Sequence, residues 1–541
     1  RDIHRCARSG ARLCLTRRPD APKEDGMRKA VITLSLLIGA CSPAATSPDG
    51  GMPTSSPNAA PDLAAQHAAA RAEVERLRAI ADRDPMLAAW TGAYGGVPPW
   101  ATVKSEPFPR AFETGLALLL AEVDVIATSP EAPTFDNTIK TLEDAGRHQD
   151  RAETLFSVLT TSLNTADVQA VDREWSPKMT EARDKIAFNE RLFARIAAVH
   201  AARETLNAEQ KRLVERTYDN FVRAGAKLTK EEKARLGTIN QELAVAFTDF
   251  GNKVLADEDT WVVLEKKEDL AGLPDSLQAA YAAAAKERKL EGKWVVTNTR
   301  SSVDPFLTSS SRRDLREKVF RAFKARGDNG GANDTKATIA KIVTLRAERA
   351  KLLGYKSHAH WRMQDTMAKD PESARALMLK VWPAAVERVK EEVGDMQPFF
   401  KKDVKDGTFE PWDYLYYAEK VRKQKYALDQ AEVKPYFELD NMIQGSFFMA
   451  EQLYGLAFKE ITGQVPVFFE GVRVWEVTDK ATGAHIGLFY GDYFARANKR
   501  SGAWASGYRW RETFTGTTRT PITSNNNNFV KAAPGEPVLI S

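Results

Sequence analysis

Cysteine is nearly absent from this 541-residue chain: Cys6, Cys14 and Cys41 are its three, and none occurs after residue 41. A disulfide framework is thereby excluded. Histidine is scarce as well, limited to His4, His67, His148, His200, His358, His360 and His485. None is followed by Glu-x-x-His and no two stand four residues apart. No helix of this chain can therefore present the two-histidine face on which a zinc site is commonly built. Net charge is missing from most of the chain. The formal total is +5, but residues 1–26 carry six Arg and one Lys against three Asp and one Glu, and Arg28 and Lys29 supply the rest. Residues 42–541 are neutral, which removes the electrostatic case for a nucleic-acid partner. The apolar run Ala30–Ile38 is too short to span a bilayer as a permanent helix.

What is present fits a soluble globular protein with room for two or more domains: 43% apolar and 28% charged residues. The chain opens at Arg1, and its first methionine is Met27. From there Arg28-Lys29, the apolar run and Gly39-Ala40-Cys41 look like a bacterial lipoprotein signal peptide, with Cys41 as the lipidated residue. Residues 1–26 then read as sequence upstream of the start, 27–41 as the signal peptide and 42–62, rich in Pro, Ser and Gly, as a flexible tether. Ser42 after the cysteine favours the periplasmic side of an outer membrane, with the membrane reached through the Cys41 lipid. The body then has no thiol.

Helical periodicity dominates from 63 to about 257. Its clearest case is Lys230–Leu255, where Thr229 and Glu232 form a capping box. Leu236, Ile239, Leu243, Phe247, Phe250 and Val254 recur at steps of three and four, and Lys233, Arg235, Glu242 and Asp249 mark a polar face. Thr260–Leu264 and Trp294–Thr297 read as strands around a helical segment near Pro274–Glu291. Helical patterns resume at Arg312–Arg326, Asp334–Leu353, Glu372–Met396 and Trp412–Asp429. From Ile461 the texture changes to short alternating runs, Val472–Val477 and His485–Tyr490, which predict a small sheet set into a helical body. Asn525–Asn528 stands out as a low-complexity tract.

Over Ser302–Ser541 the chain resembles M3-family zinc peptidases, the oligopeptidase and peptidyl-dipeptidase enzymes. The resemblance rests on Pro305-Phe-Leu-Thr308, Leu315-Arg-Glu-Lys-Val-Phe-Arg-Ala-Phe323, Arg326-Gly-Asp-Asn-Gly330 and Leu345-Arg-Ala-Glu-Arg-Ala-Lys-Leu-Leu-Gly-Tyr355. It continues through Val381-Trp-Pro-Ala-Ala385, Tyr416-Tyr-Ala-Glu-Lys420, Val433-Lys-Pro-Tyr-Phe437 and Arg473-Val-Trp-Glu-Val477, and leans toward the peptidyl-dipeptidase branch. It implies a mainly α fold: a helical two-part peptidase with a substrate channel and a small inserted β-sheet. Residues 63–290 would form the helical N-terminal domain and 291–541 a partial catalytic domain. It also implies short peptide substrates, release of C-terminal dipeptides, and a zinc whose bound water is activated by the glutamate of a His-Glu-x-x-His helix. In the family that helix follows the stretch resembled by the last residues here, so no catalytic residue and no metal ligand is assigned in this chain. The 541-residue polypeptide is expected to hold no zinc and to be inactive. The alternative is a non-catalytic helical peptide-binding lipoprotein.

Single features are weighed against plainer readings. His358-Ala-His360 would share a metal on a strand, but Gly354–Ser357 reads as a loop with Ser357 capping a helix, on which the two rings diverge. In distantly similar peptidases a strand shortly before the zinc helix aligns the substrate backbone. Gly502 and Ala503 in Ser501-Gly-Ala-Trp504 are the candidates for that strand here, and a packed turn anchored by Trp504 is the equal alternative. Asp492, Arg496 and Lys499 read as a salt-bridged structural corner before a substrate contact. Asp328–Asp334 lacks the ligand spacing of a calcium loop and reads as a helix-to-helix turn. Val538-Leu-Ile540 is an apolar run expected to need a partner element, and 291–541 is expected to expose apolar surface.

Overall fold

The computed structural model describes residues 62–427, 430–514, 516–532 and 535–540. The signal peptide, Cys41 and nearly all of the tether lie outside the described residues. The chain is mainly helical, with one small mixed sheet. Helix Lys230–Glu258 starts where its capping box predicts. The Thr229 hydroxyl accepts from the Glu232 N–H (3.3 Å), and the Glu232 carboxylate accepts from the Thr229 N–H (2.9 Å). Its apolar stripe buries Leu236, Ile239 and Leu243, the last two against Ile342 and Leu345 of helix Lys336–Leu352. One member of the expected polar face departs from that pattern. Lys233 is buried, its ammonium 3.3 Å from Glu190 of the neighbouring helix Glu190–Ala201. Its methylene stem is long enough to lie along apolar surface while the charge reaches a partner.

The helix ends in a turn built around one carboxylate. Asp257 is buried and accepts from the Gly327 N–H (2.7 Å), Asn329 (2.8 Å) and Asn333 (2.9 Å). Lys336 pairs with Asp328 and Asp334 on the outside of the same segment. Gly327–Asp334 is thus the helix-to-helix turn expected, its side chains spent on holding the loop.

Among the described residues nine strands follow in chain order. β1 (Trp261–Leu264) and β2 (Trp294–Thr297) form an antiparallel pair. β3 (Leu456–Glu460), β4 (Arg473–Asp479), β5 (His485–Phe494), β6 (Trp504–Arg509) and β9 (Ile522–Phe529) form a five-stranded sheet ordered β3-β4-β5-β9-β6. β7 (Glu512–Thr513) and β8 (Thr518–Arg519) make a small hairpin. β9 runs parallel to β5 and antiparallel to β6, so the segment between β5 and β9 crosses over and leaves β6 outermost. The Asn525–Asn528 tract is half of β9, with Asn526 buried and donating to Ser524 (3.0 Å) and to the Trp504 carbonyl (3.2 Å).

The largest core runs through both ends of the described chain. Phe108, Phe112, Phe156 and Trp175 of the N-terminal helices share it with Val474, Leu488, Tyr490, Tyr508 and Ile522 of the sheet. Trp100 bridges the two parts edge-on to Tyr508, at 5.3 Å between ring centroids. A buried ion triad fixes a second junction. Asp413, with no exposed surface, accepts from Arg313 and Arg316 of helix Arg313–Lys324.

Apolar exposure is uneven, as expected of the second half. The exposed large hydrophobic residues lie between Ile339 and Trp510, apart from Leu63, Ile80 and Trp261. Leu377, Met378, Leu379, Val381 and Trp382 project from helix Pro371–Asp403, and Phe448, Met449, Leu453 and Tyr454 from helix Leu439–Tyr454. The run Val538–Ile540 has the partner element it was expected to need. The Leu439 N–H donates to the Val538 carbonyl and the Ile540 N–H to the Phe437 carbonyl, each at 2.8 Å. Val538 and Ile540 pack beside Leu439, Ile443 and Trp475. The partner element is a segment of the same chain, about a hundred residues earlier and too distant in sequence for local pattern to reveal.

Candidate functional site

The feature most suited to binding is the outer edge of β6. Among the described residues no strand pairs with that side, leaving main-chain donors and acceptors available for an extended peptide. Trp510, exposed at its end, lies over Gly507 so closely that a Cβ there would sit 2.6 Å from the indole.

Three sets of contacts hold this edge in place. The first is the corner after β5. Arg496 grips the Asp492 carboxylate through both oxygens (2.7 and 2.9 Å), donates to the Ser162 carbonyl (3.2 Å) and stacks on Phe469. The Lys499 ammonium, with no exposed surface, is 3.0 Å from the same carboxylate. It donates to the carbonyls of Asp492 (3.1 Å), Phe494 (2.9 Å) and Asn527 (2.6 Å). Burial, against the pull of Asp492, pushes the Lys499 ammonium down to about 8. These groups are turned onto protein carbonyls, which supports the reading of a structural corner. The second set is a clamp on the turn before β6. Asn528 donates to the carbonyls of Arg500 (2.9 Å) and Gly502 (2.7 Å), and Ser501 donates to Glu258 through its N–H (3.1 Å) and its hydroxyl (2.6 Å).

Gly502 and Ala503 therefore need correction as strand residues. Gly502 has φ +95°, a left-handed conformation that favours glycine, so its small size serves the turn. Ala503 is exposed just ahead of β6, and the strand itself starts at Trp504. Proximity to the strand was legible, but the turn geometry displaces the assignment by a few residues.

The third set escaped the sequence reading. Arg509, the last residue of β6, donates to the carbonyls of Tyr94 (2.8 Å), Gly95 (2.7 Å) and Gly96 (2.8 Å) and to that of Thr520 (2.6 Å). Tyr94-Gly-Gly96 signals a turn by composition, yet nothing in it points to an arginine more than four hundred residues away.

The histidines do not converge on a metal. Ser357 caps helix His358–Met363, as predicted. His360 Nδ1 lies 2.8 Å from the Ser357 hydroxyl and its Nε2 3.3 Å from Glu372. The His358 ring packs on Trp361 among three arginines, surroundings that repel a cation. His485 pairs with Glu476, His148 with Asp82, and His200 stacks on Tyr218. Among the described residues no group of three or more His, Cys, Asp or Glu side chains is placed to hold a metal ion, so these residues do not fit a zinc centre.

A sequence model of peptidase family M3 matches residues 306–541. Dipeptidyl carboxypeptidase of Escherichia coli (strain K12) is 37% identical over 447 residues, covering 82% of this chain and 65% of that protein. Over most of its length the chain is similar to members of peptidase family M3. Oligopeptidase A of Salmonella typhimurium is 28% identical over 456 residues, covering 82% of this chain and 66% of that protein, and saccharolysin of Saccharomyces cerevisiae is 24% identical over 382. The chain thus spans just under two thirds of the length of these bacterial M3 relatives. The identity is higher to dipeptidyl carboxypeptidase than to oligopeptidase A, and the mainly helical body with a small mixed sheet agrees with the family M3 fold.

Proposed function

We propose that this chain is the substrate-aligning part of an M3 peptidase that takes short peptides and releases C-terminal dipeptides. The observation that carries the reading is the 37% identity to a dipeptidyl carboxypeptidase over 447 residues. The open edge of β6 supports it physically, since an added strand holds any extended peptide through its main chain without regard to sequence. Zinc belongs to the family's chemistry, and the described residues offer no site for it. The 541-residue polypeptide by itself is accordingly proposed to bind peptide and not to hydrolyse it. A lipid on Cys41 and a periplasmic, outer-membrane location are part of the same proposal and rest on the residues around Cys41 alone.

The test is metal analysis of the purified polypeptide together with a quenched-fluorescence peptide assay, with and without chelator. No stoichiometric zinc and no turnover, with measurable peptide binding by anisotropy, is the expected result. Stoichiometric zinc with chelator-sensitive turnover would overturn the inactive reading, and absence of both binding and turnover would overturn the peptide-aligning one.

A further inference from the structure

The turn between helices Lys336–Leu352 and His358–Met363 gathers positive charge, and among the described residues no carboxylate forms an ion pair with it. Arg349 and Arg362 both lie on Trp361, at 4.5 and 5.6 Å from the ring centroid, and the His358 ring is 5.5 Å from the same ring. Arg346, one turn before Arg349, lies 5.0 Å from the Phe247 ring. The charges of Arg346, Arg349 and Arg362 all act on His358, and those of Arg346 and Arg362 act on Arg349, so the four groups form one cluster.

Among the described residues, none of the three guanidinium groups has a carboxylate within ion-pair distance. The one hydrogen bond formed by any of them is from Arg349 to the Asn240 side-chain oxygen, at 3.2 Å. Buried nitrogens are left over: Nε of Arg346, Nε of Arg349 and Nδ1 of His358 have no partner. Arg349 is itself more than nine-tenths buried. The nearest opposing charge acting on it is Asp184, held by Asn240 at 2.9 Å. Burial pushes the Asp184 carboxyl up to about 7, so it is a weak counter-charge at neutral pH. Folded chains rarely leave a buried cation unpaired or buried donors empty.

We propose that Arg346, Arg349, Arg362 and His358 form a binding site for a small oxyanion, a carboxylate or a phosphate. The Nε–H and the adjacent Nη–H of a guanidinium form a two-donor edge that matches two oxygens of such a group, which a monatomic anion cannot do. Two of the three arginines have a buried Nε without a partner, and the rings of Phe247 and Trp361 lie beside their guanidinium groups, where apolar surroundings keep the dielectric low. The carboxylate could be the terminus of a peptide or a free acid, and the phosphate a free ion or an ester.

The experiment is thermal unfolding of the full polypeptide at constant ionic strength, with sodium chloride replaced stepwise by sodium acetate in one arm and sodium phosphate in the other. A saturable rise in Tm in at least one arm is expected. A rise with acetate alone assigns a carboxylate and a rise with phosphate alone a tetrahedral oxyanion. The rise should be lost in R346Q and in R362Q, the half-buried members of the set, with far-UV circular dichroism confirming that each variant folds. A Tm that does not respond to either ion in the unmodified chain, or a response undiminished in folded R346Q or R362Q, would overturn the proposal. Selective 13C labelling of histidine gives an independent readout. The His358 imidazole is pushed down to about 4 by burial and by the three arginine charges. A bound oxyanion offsets those charges and should move its titration upward, with R362Q abolishing the ion-dependent part.

Discussion

Replacing Asp413 removes the counter-charge from the fully buried Arg316 guanidinium. The Asp413 carboxylate accepts from Arg313 Nε (3.0 and 3.2 Å) and Nη2 (2.8 Å), from Arg316 Nη2 (2.9 Å) and from the Glu410 N–H (3.1 Å). Arg316 has 1% of its side chain exposed and Arg313 34%. Asp413→Ala leaves the Arg316 guanidinium buried with only the carbonyls of Ser310 (2.8 Å) and Trp412 (3.3 Å) to face. Breaking a buried pair from one side costs about 3–5 kcal/mol. Asp413→Asn is expected to cost nearly as much, because its amide N–H groups face donors. Arg313→Met should cost only about 1–2 kcal/mol, since Asp413 keeps Arg316 and the solvated side of the cluster contributes little.

Urea unfolding followed by far-UV circular dichroism and tryptophan fluorescence checks this ranking, with unchanged m-values as the condition for comparing midpoints. The pH dependence adds a second arm. Burial alone would raise the Asp413 carboxyl, but the hydrogen bonds from Arg313, the Glu410 N–H and Arg316 hold it below the usual range. Below about pH 4 the unfolded state therefore binds the proton more readily than the folded one. The contribution is complete above that pH and is lost as pH falls through the lower folded value, so the gap between the unmodified chain and D413N should narrow in acid. Asp413→Ala within about 1 kcal/mol of the parent, or Arg313→Met as costly as Asp413→Ala, would refute the reasoning.

Gly96→Ala should lower stability by at least about 2 kcal/mol, seen as a fall in Tm, because φ is +87° and a Cβ would lie 2.1 Å from the Trp90 carbonyl oxygen. An unchanged Tm would mean the Arg509-bound loop is not held as described. For Lys499, the folded ammonium releases its proton near pH 8 and the unfolded one near 10.4. Between those values the unfolded state binds more protons, so stability relative to Lys499→Met should rise with pH, by up to about 3 kcal/mol. A difference that stays flat from pH 7 to 10 contradicts the burial argument. The apolar face of helix Pro371–Asp403 should bind a hydrophobic dye, and Leu377→Lys with Trp382→Ser should reduce that signal while moving the unfolding midpoint by no more than about 0.5 kcal/mol. Loss of folding in that double variant would show that the face is packed.

Short-range signals in the sequence mark their elements, and long-range contacts leave no local mark. The Thr229–Glu232 box, the Ser357 cap and the strands β1, β2, β4 and β5 each depend on a few neighbouring residues, and all appear where the pattern places them. The Asn525–Asn528 tract looked featureless because asparagine is a poor strand former. In β9 its amides serve as clamps, on the Trp504 carbonyl from Asn526 and on the turn before β6 from Asn528. Asp413 was invisible among many carboxylates, since nothing local marks which one meets two arginines a hundred residues earlier. The same holds for Arg509 with the Tyr94–Gly96 carbonyls, and for Val538–Ile540 docking beside Leu439.

The candidate site shows how this division bears on function. The strand β6 is fixed at one end by Asn528 and Glu258, at the other by Arg509, and along its length by β9. The polar side chains in those contacts are turned onto protein groups and serve to hold the strand. The outer main-chain edge is what is left to offer. Such an edge can align an extended peptide, and alignment draws on different groups from those that break a bond. Affinity for peptide and turnover of peptide are then separable in this polypeptide. A single proline placed in β6 at a residue whose N–H points outward should weaken binding while leaving the corner at Asp492, Arg496 and Lys499 intact.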